Sequence, residues 1–312
     1  MDAATAGTAP LVAERQVKLA LPFVLVTLIW SSTWLVVRGQ LGVVPPAWSV
    51  TYRFGVAAAA MLAYARVSGI SLRLTPRQHG FAAAYGIAQY ALNYFGVYLA
   101  ERSVTSGLVA VVFALLLLPN AILARLFLAQ GVSRRFVAGS AIALGGIALL
   151  FAHELHAAPS AHRLAVGIGW SLFAVLVASI AQVAQGSAPA RAIPMASFVA
   201  WGMAWGAAFD TCVAFTLDGS PVFDASPAYW GGTLYLALIG SALAFTLYAR
   251  LIHAVGPGRA AYTSVLTPAI AMLLSTLFEG YRWSWEAALG CAAALAGLAV
   301  ALRARQSASP AR

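Results

Sequence analysis

Residues 256–302 read "GPGRAAYTSVLTPAIAMLLSTLFEGYRWSWEAALGCAAALAGLAVAL", two apolar segments meeting at a short polar turn, Glu279-Gly280-Tyr281-Arg282. Residues 107–150, "GLVAVVFALLLLPNAILARLFLAQGVSRRFVAGSAIALGGIALL", follow the same plan. Laid over each other, Gly107 falls on Gly256, Pro119 on Pro268 and Gln130 on Glu279, all at one offset of 149 residues that Pro45 and Pro194 share. Past the turn the register slips by two, and Gly139 with Gly146 falls on Gly290 with Gly297. A repeat of about half the chain, kept over several landmarks, outweighs any single motif. The chain is a duplicated half.

Composition names the solvent. Hydrophobic residues make up 62% of the 312 and charged residues 9%, where ordinary soluble domains carry roughly 25% charged. No soluble fold of this length hides so much apolar surface, so the surroundings are lipid. Runs without charge mark the spans 19–37, 80–100, 103–124, 136–152, 164–190, 192–209, 225–249, 260–278 and 287–302, with a tenth, 47–65, interrupted only by Arg53. Most approach the ~20 residues a helix needs to cross a ~30 Å hydrocarbon layer. Strand-like alternation is absent, and an open sheet would leave backbone groups unsatisfied in lipid. The expected fold is an all-α integral membrane protein with ten transmembrane helices.

The cations orient it. With a cytoplasmic N-terminus and strict alternation, thirteen fall inside: Arg15, Lys18, Arg66, Arg73, Arg77, Arg134, Arg135, Arg191, Arg250, Arg259, Arg303, Arg305 and Arg312. Four fall outside, Arg38, Arg102, Arg163 and Arg282, leaving Arg53 and Arg125 within spans. The formal charge of +10 is thus a topology signal, and no nucleic-acid partner is inferred. Residues 1–18 form a cytoplasmic tail whose first fourteen are read as disordered. Then come a first five-helix repeat (19–152), a periplasmic linker (153–163), a second repeat (164–302) and a cytoplasmic tail (303–312). Five is odd, so the second copy enters from the opposite side. Two inverted five-helix repeats are a recurrent plan of secondary transporters, with the substrate site near the midplane where the halves meet.

The segment "TPAIAMLLSTLFEGYRWSWEAALGCAAALAGLAVAL" resembles the end of an EamA-type permease repeat of the drug/metabolite transporter superfamily. "LIWSSTWLVVRG" and "PPAWSVTYRFGVAAAAML" resemble that family's first two helices, and the likeness runs from about residue 19 to 302. The resemblance implies movement of small metabolites, commonly amino acids or related compounds, by alternating access in a bacterial inner membrane. Gln130 departs from the pattern, standing where the first repeat usually carries Glu.

Absences narrow the energy source. A phosphate-binding loop needs a Gly-rich turn followed by Lys and Ser or Thr, and the one lysine, Lys18, has no such context. A secondary carrier is favoured, with no cofactor and no enzymatic activity. His153, His156 and His162 lack metal-site spacing, and Cys212 with Cys291, both in or near apolar runs, suggests free thiols.

Arg53 is the sharpest residue. Six residues into its helix puts it roughly 9 Å deep, and an intramembrane guanidinium must face protein or water. It is either an anchor for a carboxylate substrate, which Arg grips bidentately, or one side of a structural pair. Asp210, at similar depth, is its possible partner across the interface between halves, or a carrier of a coupling proton. Glu279, at a helix exit, reads as an anchor for a turn or an interface. Trp34, Tyr94 and Trp201 are mid-span aromatics that either line a cavity or pack. Asn93 and Gln182, uncharged and mid-span, must hydrogen-bond a helix partner or substrate. Pro119 and Pro268 each free a carbonyl one turn earlier, at matching points of the repeats, and are candidate hinges. Gly202 with Gly206, and Gly139, Gly145 and Gly146, allow close helix packing.

The reading is a secondary transporter of a small polar metabolite, an amino acid or analogue, with export favoured and protons as a possible coupling ion. Trp34, Arg53, Asn93, Tyr94, Gln182 and Trp201 are the expected substrate contacts. A translocator of a lipid or lipid-linked sugar is the alternative. An intramembrane enzyme stands further off, since no nucleophile-and-base constellation is found.

Overall fold

The computed structural model describes residues 8–128, 131, 133–157, 160–255 and 263–307. Gln130 and Gly256 lie outside the described residues. Among those described, the regular structure is helical: ten rods and one isolated turn, Ala188–Arg191. α1 is Thr8–Gly39 and α2 is Pro46–Val67. α3 spans 76–101 and joins α-helix Pro76–Gly86, a π-helical segment Ile87–Leu92 and α-helix Asn93–Glu101. α4 spans 106–128 as Ser106–Phe113, a 3-10 turn Ala114–Leu116 and Leu117–Leu128. α5 is Arg134–Ala157, α6 Ala161–Gln185 and α7 Met195–Asp218. α8 spans 227–255, with a π-helical segment Tyr235–Leu243 between Pro227–Leu234 and Ala244–Val255. α9 is Thr263–Phe278 and α10 Trp285–Ser307.

Local chemistry sets the boundaries. Pro46 and Pro227 open α2 and α8, and Pro194 precedes α7, where a missing N–H costs nothing. Thr75 and Gln78 form a reciprocal capping box at the start of α3. Gly69 and Gly219 follow the matching helices α2 and α7 with φ of 68° and 73°, a backbone region that glycine enters without a Cβ penalty. The 3-10 turn in α4 lies just upstream of Pro119, whose ring excludes the carbonyl four residues back. Pro268 sits inside an uninterrupted helix. Only one of the two proline positions therefore carries a break in helical type.

Three expectations change. α1 begins at Thr8, within the stretch read as disordered. α5 runs to Ala157 and α6 starts at Ala161, so the connection between halves is far shorter than 153–163. α6 ends at Gln185, not 190, and a single turn, Ala188–Arg191, leads into α7.

The rods pack around two main cores. Phe54, Tyr90, Tyr98, Phe198, Met203 and Leu236 form a core between α2, α3, α7 and α8. Leu108, Val111, Ile147, Leu150, Met272, Cys291 and Ala294 form another between α4, α5, α9 and α10. The packing is unchanged when the halves are exchanged: α5 lies on α10, α2 on α7 and α4 on α9, while α3 on α6 is mirrored by α8 on α1. Matching helices run antiparallel. A Cβ on Gly139 would meet Gly297 O at 2.7 Å, and one on Gly146 would meet Gly290 O at 2.6 Å. Backbones approach there as only glycine permits. Gly145 faces away, with nothing within 4 Å, so it plays no part in that contact. In the α3–α7 pair, Gly86, Gly202 and Gly206 bring two backbones together in the same way. Antiparallel matching helices place the two-fold that relates the halves across the helix axes.

Apolar side chains also cover the outside. Leu172, Leu176 and Ile180 make an exposed stripe along α6, and Ile122, Leu126, Leu273 and Leu277 do likewise on α4 and α9. Among the described residues, six helices are by length and composition able to cross a membrane: Leu21–Gly39, Ser106–Leu128, Ala161–Gln185, Met195–Asp218, Pro227–Tyr248 and Trp285–Arg303.

Candidate functional site

The two π-helical segments fall in the matching helices α3 and α8. A π turn inserts a residue into the helical ladder and rotates every later side chain, which is why such turns gather at functional sites. Here they flank a deeply buried cation. Arg53, on α2, is 1% exposed. Its Nε and Nη2 donate to Ser241 Oγ at 3.4 and 3.3 Å, in the α8 π segment. Its Cζ lies 4.3 Å from the Tyr94 ring centroid, two residues past the α3 π segment, a distance at which a cation is attracted to the ring face. Nη1 is buried without a hydrogen-bond partner. The first half supplies the cation and its ring, the second half the hydroxyl.

The pairing with Asp210 does not form. Asp210, on α7, is 2% exposed with Oδ2 unpartnered, and no ion pair joins it to Arg53. The antiparallel α2–α7 packing sets them at similar depth, but Arg53 reaches toward α8. Asn93 is 4% exposed; its Nδ2 donates to Gln89 O at 3.2 Å, while Oδ1 and Gln89 Oε1 are unpartnered. Trp34 stands half-buried on α1 with its ring 4.9 Å from Phe113 and touches both cores.

Gln182 and Trp201 are elsewhere. With α6 ending at Gln185, Gln182 lies in its last turn, exposed, accepting from Asn120 Nδ2 at 2.8 Å. Trp201 Nε1 donates to Leu72 O at 2.9 Å, and its ring lies 4.6 Å from His79. Both belong to the end of the bundle that carries the α2–α3 turn, not to the neighbourhood of Arg53.

The other end is closed by polar groups that the sequence reading passed over. Gln40 Nε2 donates to Tyr229 O at 2.8 Å and Thr233 Oγ1 at 3.0 Å, and Tyr98 Oη donates to Gln40 Oε1 at 3.2 Å. Ser49 Oγ and Tyr229 Oη share a bond of 2.8 Å. All five residues are buried, and they tie α1, α2 and α3 to α8. Beside them Trp48, Tyr52, Phe215, Phe223 and Trp230 form an aromatic cluster. Glu279 reaches across from α9: its Oε2 accepts from the Ser106 backbone N–H at 3.1 Å and from Ser275 Oγ at 2.5 Å. It caps the first turn of α4, where the helix dipole favours a carboxylate. No spacing in the sequence announces these contacts, which join residues far apart in the chain. The one available signal is a polar residue at the edge of an apolar run.

Comparison with known proteins agrees with this architecture. One solved crystal structure superposes with a TM-score of 0.68 at 20% identity, covering 94% of this chain and 99% of that one, a likeness of fold. Protein PagO of Salmonella typhimurium is 24% identical over 291 residues, 93% of this chain and 95% of its own. YedA of Escherichia coli strain K12, described as an uncharacterized inner membrane transporter, is 30% identical over 259 residues, 81% of this chain and 80% of its own. Residues 18–152 and 165–303 each match the EamA-like transporter family, and the chain belongs to that family.

Proposed function

We propose that this chain is a secondary transporter that crosses the bacterial inner membrane ten times, as two inverted five-helix repeats with both termini cytoplasmic. Its cargo is a small polar metabolite bearing a carboxylate, an amino acid or analogue, with export favoured. The inner-membrane location is supported by the description of YedA, and the crossing by the outward apolar faces of α4, α6 and α9. The observation that carries the reading is Arg53: a buried cation at the contact of the two halves, held by the Ser241 hydroxyl and by the rings of Tyr94 and Phe54, with Nη1 unpartnered. A buried guanidinium without a carboxylate is costly. A substrate carboxylate is the ligand that completes its planar donor set.

On this reading Tyr94, Asn93 and Trp34 contact the substrate beside Arg53. Gln182 and Trp201, bound to partners of their own, meet it only at the α2–α3 end, on its way through. Alternating access rocks the halves about their two-fold, with Pro119 and Pro268 as hinges. Protons are a fitting coupling ion, and Asp210 is one buried carboxylate suited to carry them.

Counterflow in proteoliposomes tests the proposal, using labelled amino acids and neutral analogues that lack the carboxylate. Saturable exchange confined to carboxylate-bearing compounds, and abolished in Arg53→Ala, is the expected result. Exchange of none of them by a folded preparation would move the weight to a lipid-linked cargo.

A further inference from the structure

Glu101 ends α3 and is fully buried, 0% exposed, with neither carboxylate oxygen hydrogen-bonded. An acceptor-only group sealed from water in this way is among the costliest arrangements a protein can hold. Three charged groups of other elements act on it electrostatically: Glu279 of α9, Arg38 of α1 and Arg53 of α2. On its own helix, Tyr98 interacts with both Glu101 and Arg53. Arg38 donates to the Glu101 backbone carbonyl and leaves the carboxylate alone. Thr105 Oγ1, Ser106 Oγ and Glu279 Oε1 are buried and unpartnered beside it, next to the Ser106 N–H that Glu279 Oε2 caps. Glu101 thus keeps two orphaned oxygen atoms, with three more on Thr105, Ser106 and Glu279 where α4 begins and Glu279 caps it.

We propose that Glu101 is the proton-carrying residue of the transporter. It holds a proton while Arg53 holds the substrate carboxylate. When the substrate leaves, Glu101 gives the proton to water and its carboxylate becomes the counter-ion of Arg53 and Arg38. The buried site then contains one negative group for the Arg53 cation in either state, supplied by substrate or by Glu101. Substrate and proton consequently travel together, so an inward proton gradient drives uptake and export runs only when the outward substrate gradient exceeds it. This rests on the assignment of Arg53 to a substrate carboxylate. Glu279, fixed by two donors in its capping role, stays in place.

The experiment has two arms on the full-length protein in lipid. Infrared difference spectroscopy between high and low pH on substrate-free wild type, Glu101→Gln and Asp210→Asn follows the carbonyl stretch of buried carboxyls as they gain a proton. The expected result is a protonated-carboxyl band that grows on acidification of wild type, loses a component in Glu101→Gln and keeps that component in Asp210→Asn. A band absent from wild type throughout the titration, or unchanged by Glu101→Gln, overturns the proposal. In proteoliposomes Glu101→Gln should lose accumulation driven by a pH gradient, while Glu101→Asp, which keeps a carboxyl, should retain it in part. Accumulation unchanged in Glu101→Gln, or lost equally in Glu101→Asp, would also overturn it. Wild-type protein that shows the band but exchanges no carboxylate compound would sink the substrate reading instead, so the two failures are distinguishable.

Discussion

At the scale of single residues, the chemistry turns on what surrounds Arg53. Lysine at that position would keep the charge but lose the planar donor set and the flat face that lies on the Tyr94 ring. Arg53→Lys is therefore expected to retain a folded protein and raise the apparent KM for exchange on the order of tenfold, about 1.4 kcal/mol. Tyr94→Leu keeps apolar volume and removes the ring quadrupole. That contact is worth ~1–2 kcal/mol when desolvated, so KM should rise roughly 5- to 30-fold with the maximal rate little changed. Equal behaviour of Tyr94→Phe and wild type would locate the effect in the ring face and not in the hydroxyl. Arg53 was legible because a lone charge in an apolar run has few reasons to be there. Glu101 was not, because it adjoins Arg102 at the edge of a run, and an edge charge reads as loop until burial is known.

At the scale of helices, the α5–α10 contact gives the sharpest mutational contrast. A Cβ on Gly146 would stand 2.4 Å from Ala294 N and 2.6 Å from Gly290 O. Both are backbone atoms that cannot swing aside. Gly146→Val should therefore cost ~1–3 kcal/mol or more, read as a lowered melting temperature of the detergent-solubilised protein. Gly145→Ala, one residue away and facing open space, should leave it unchanged or slightly raised, since Ala is the better helix former by up to ~1 kcal/mol. The capping role of Glu279 makes a second contrast. Glu279→Gln retains an acceptor for the Ser106 N–H and should stay near wild type, whereas Glu279→Ala should lose about 0.5–2 kcal/mol. The glycines were readable because their spacing recurs in both halves. Gln182 and Trp201 were misplaced because depth was counted from charge-free runs, and helix ends do not follow charge. α6 stops at Gln185 although the uncharged run continues to 190. The π segments had no sequence signal, and they re-aim everything that follows them in α3 and α8.

At the scale of the whole molecule, the antiparallel packing of α2 on α7 and of α5 on α10 makes a demand on topology. If the halves are inverted across the bilayer, loops that match in the repeats must open on opposite sides. Val43, in the α1–α2 connection, is 65% exposed, and its counterpart region is the α6–α7 connection, where Ala188 is exposed. The free thiols at Cys212, exposed, and Cys291, buried, would first be replaced by serine and alanine. Single cysteines at Val43 and Ala188 would then be challenged with a membrane-impermeant maleimide on intact cells. With the N-terminus cytoplasmic, Val43→Cys should label at once and Ala188→Cys only after permeabilisation. The reverse pattern would keep the inversion but turn the molecule over, against the thirteen-to-four division of cations. Labelling of both from one side would mean that each half crosses the membrane an even number of times. One of the four rods outside the six evident spans would then have to lie within or on the bilayer without crossing it. That outcome would also separate the α2 and α7 ends that now bracket Arg53, so the topology test bears directly on the site.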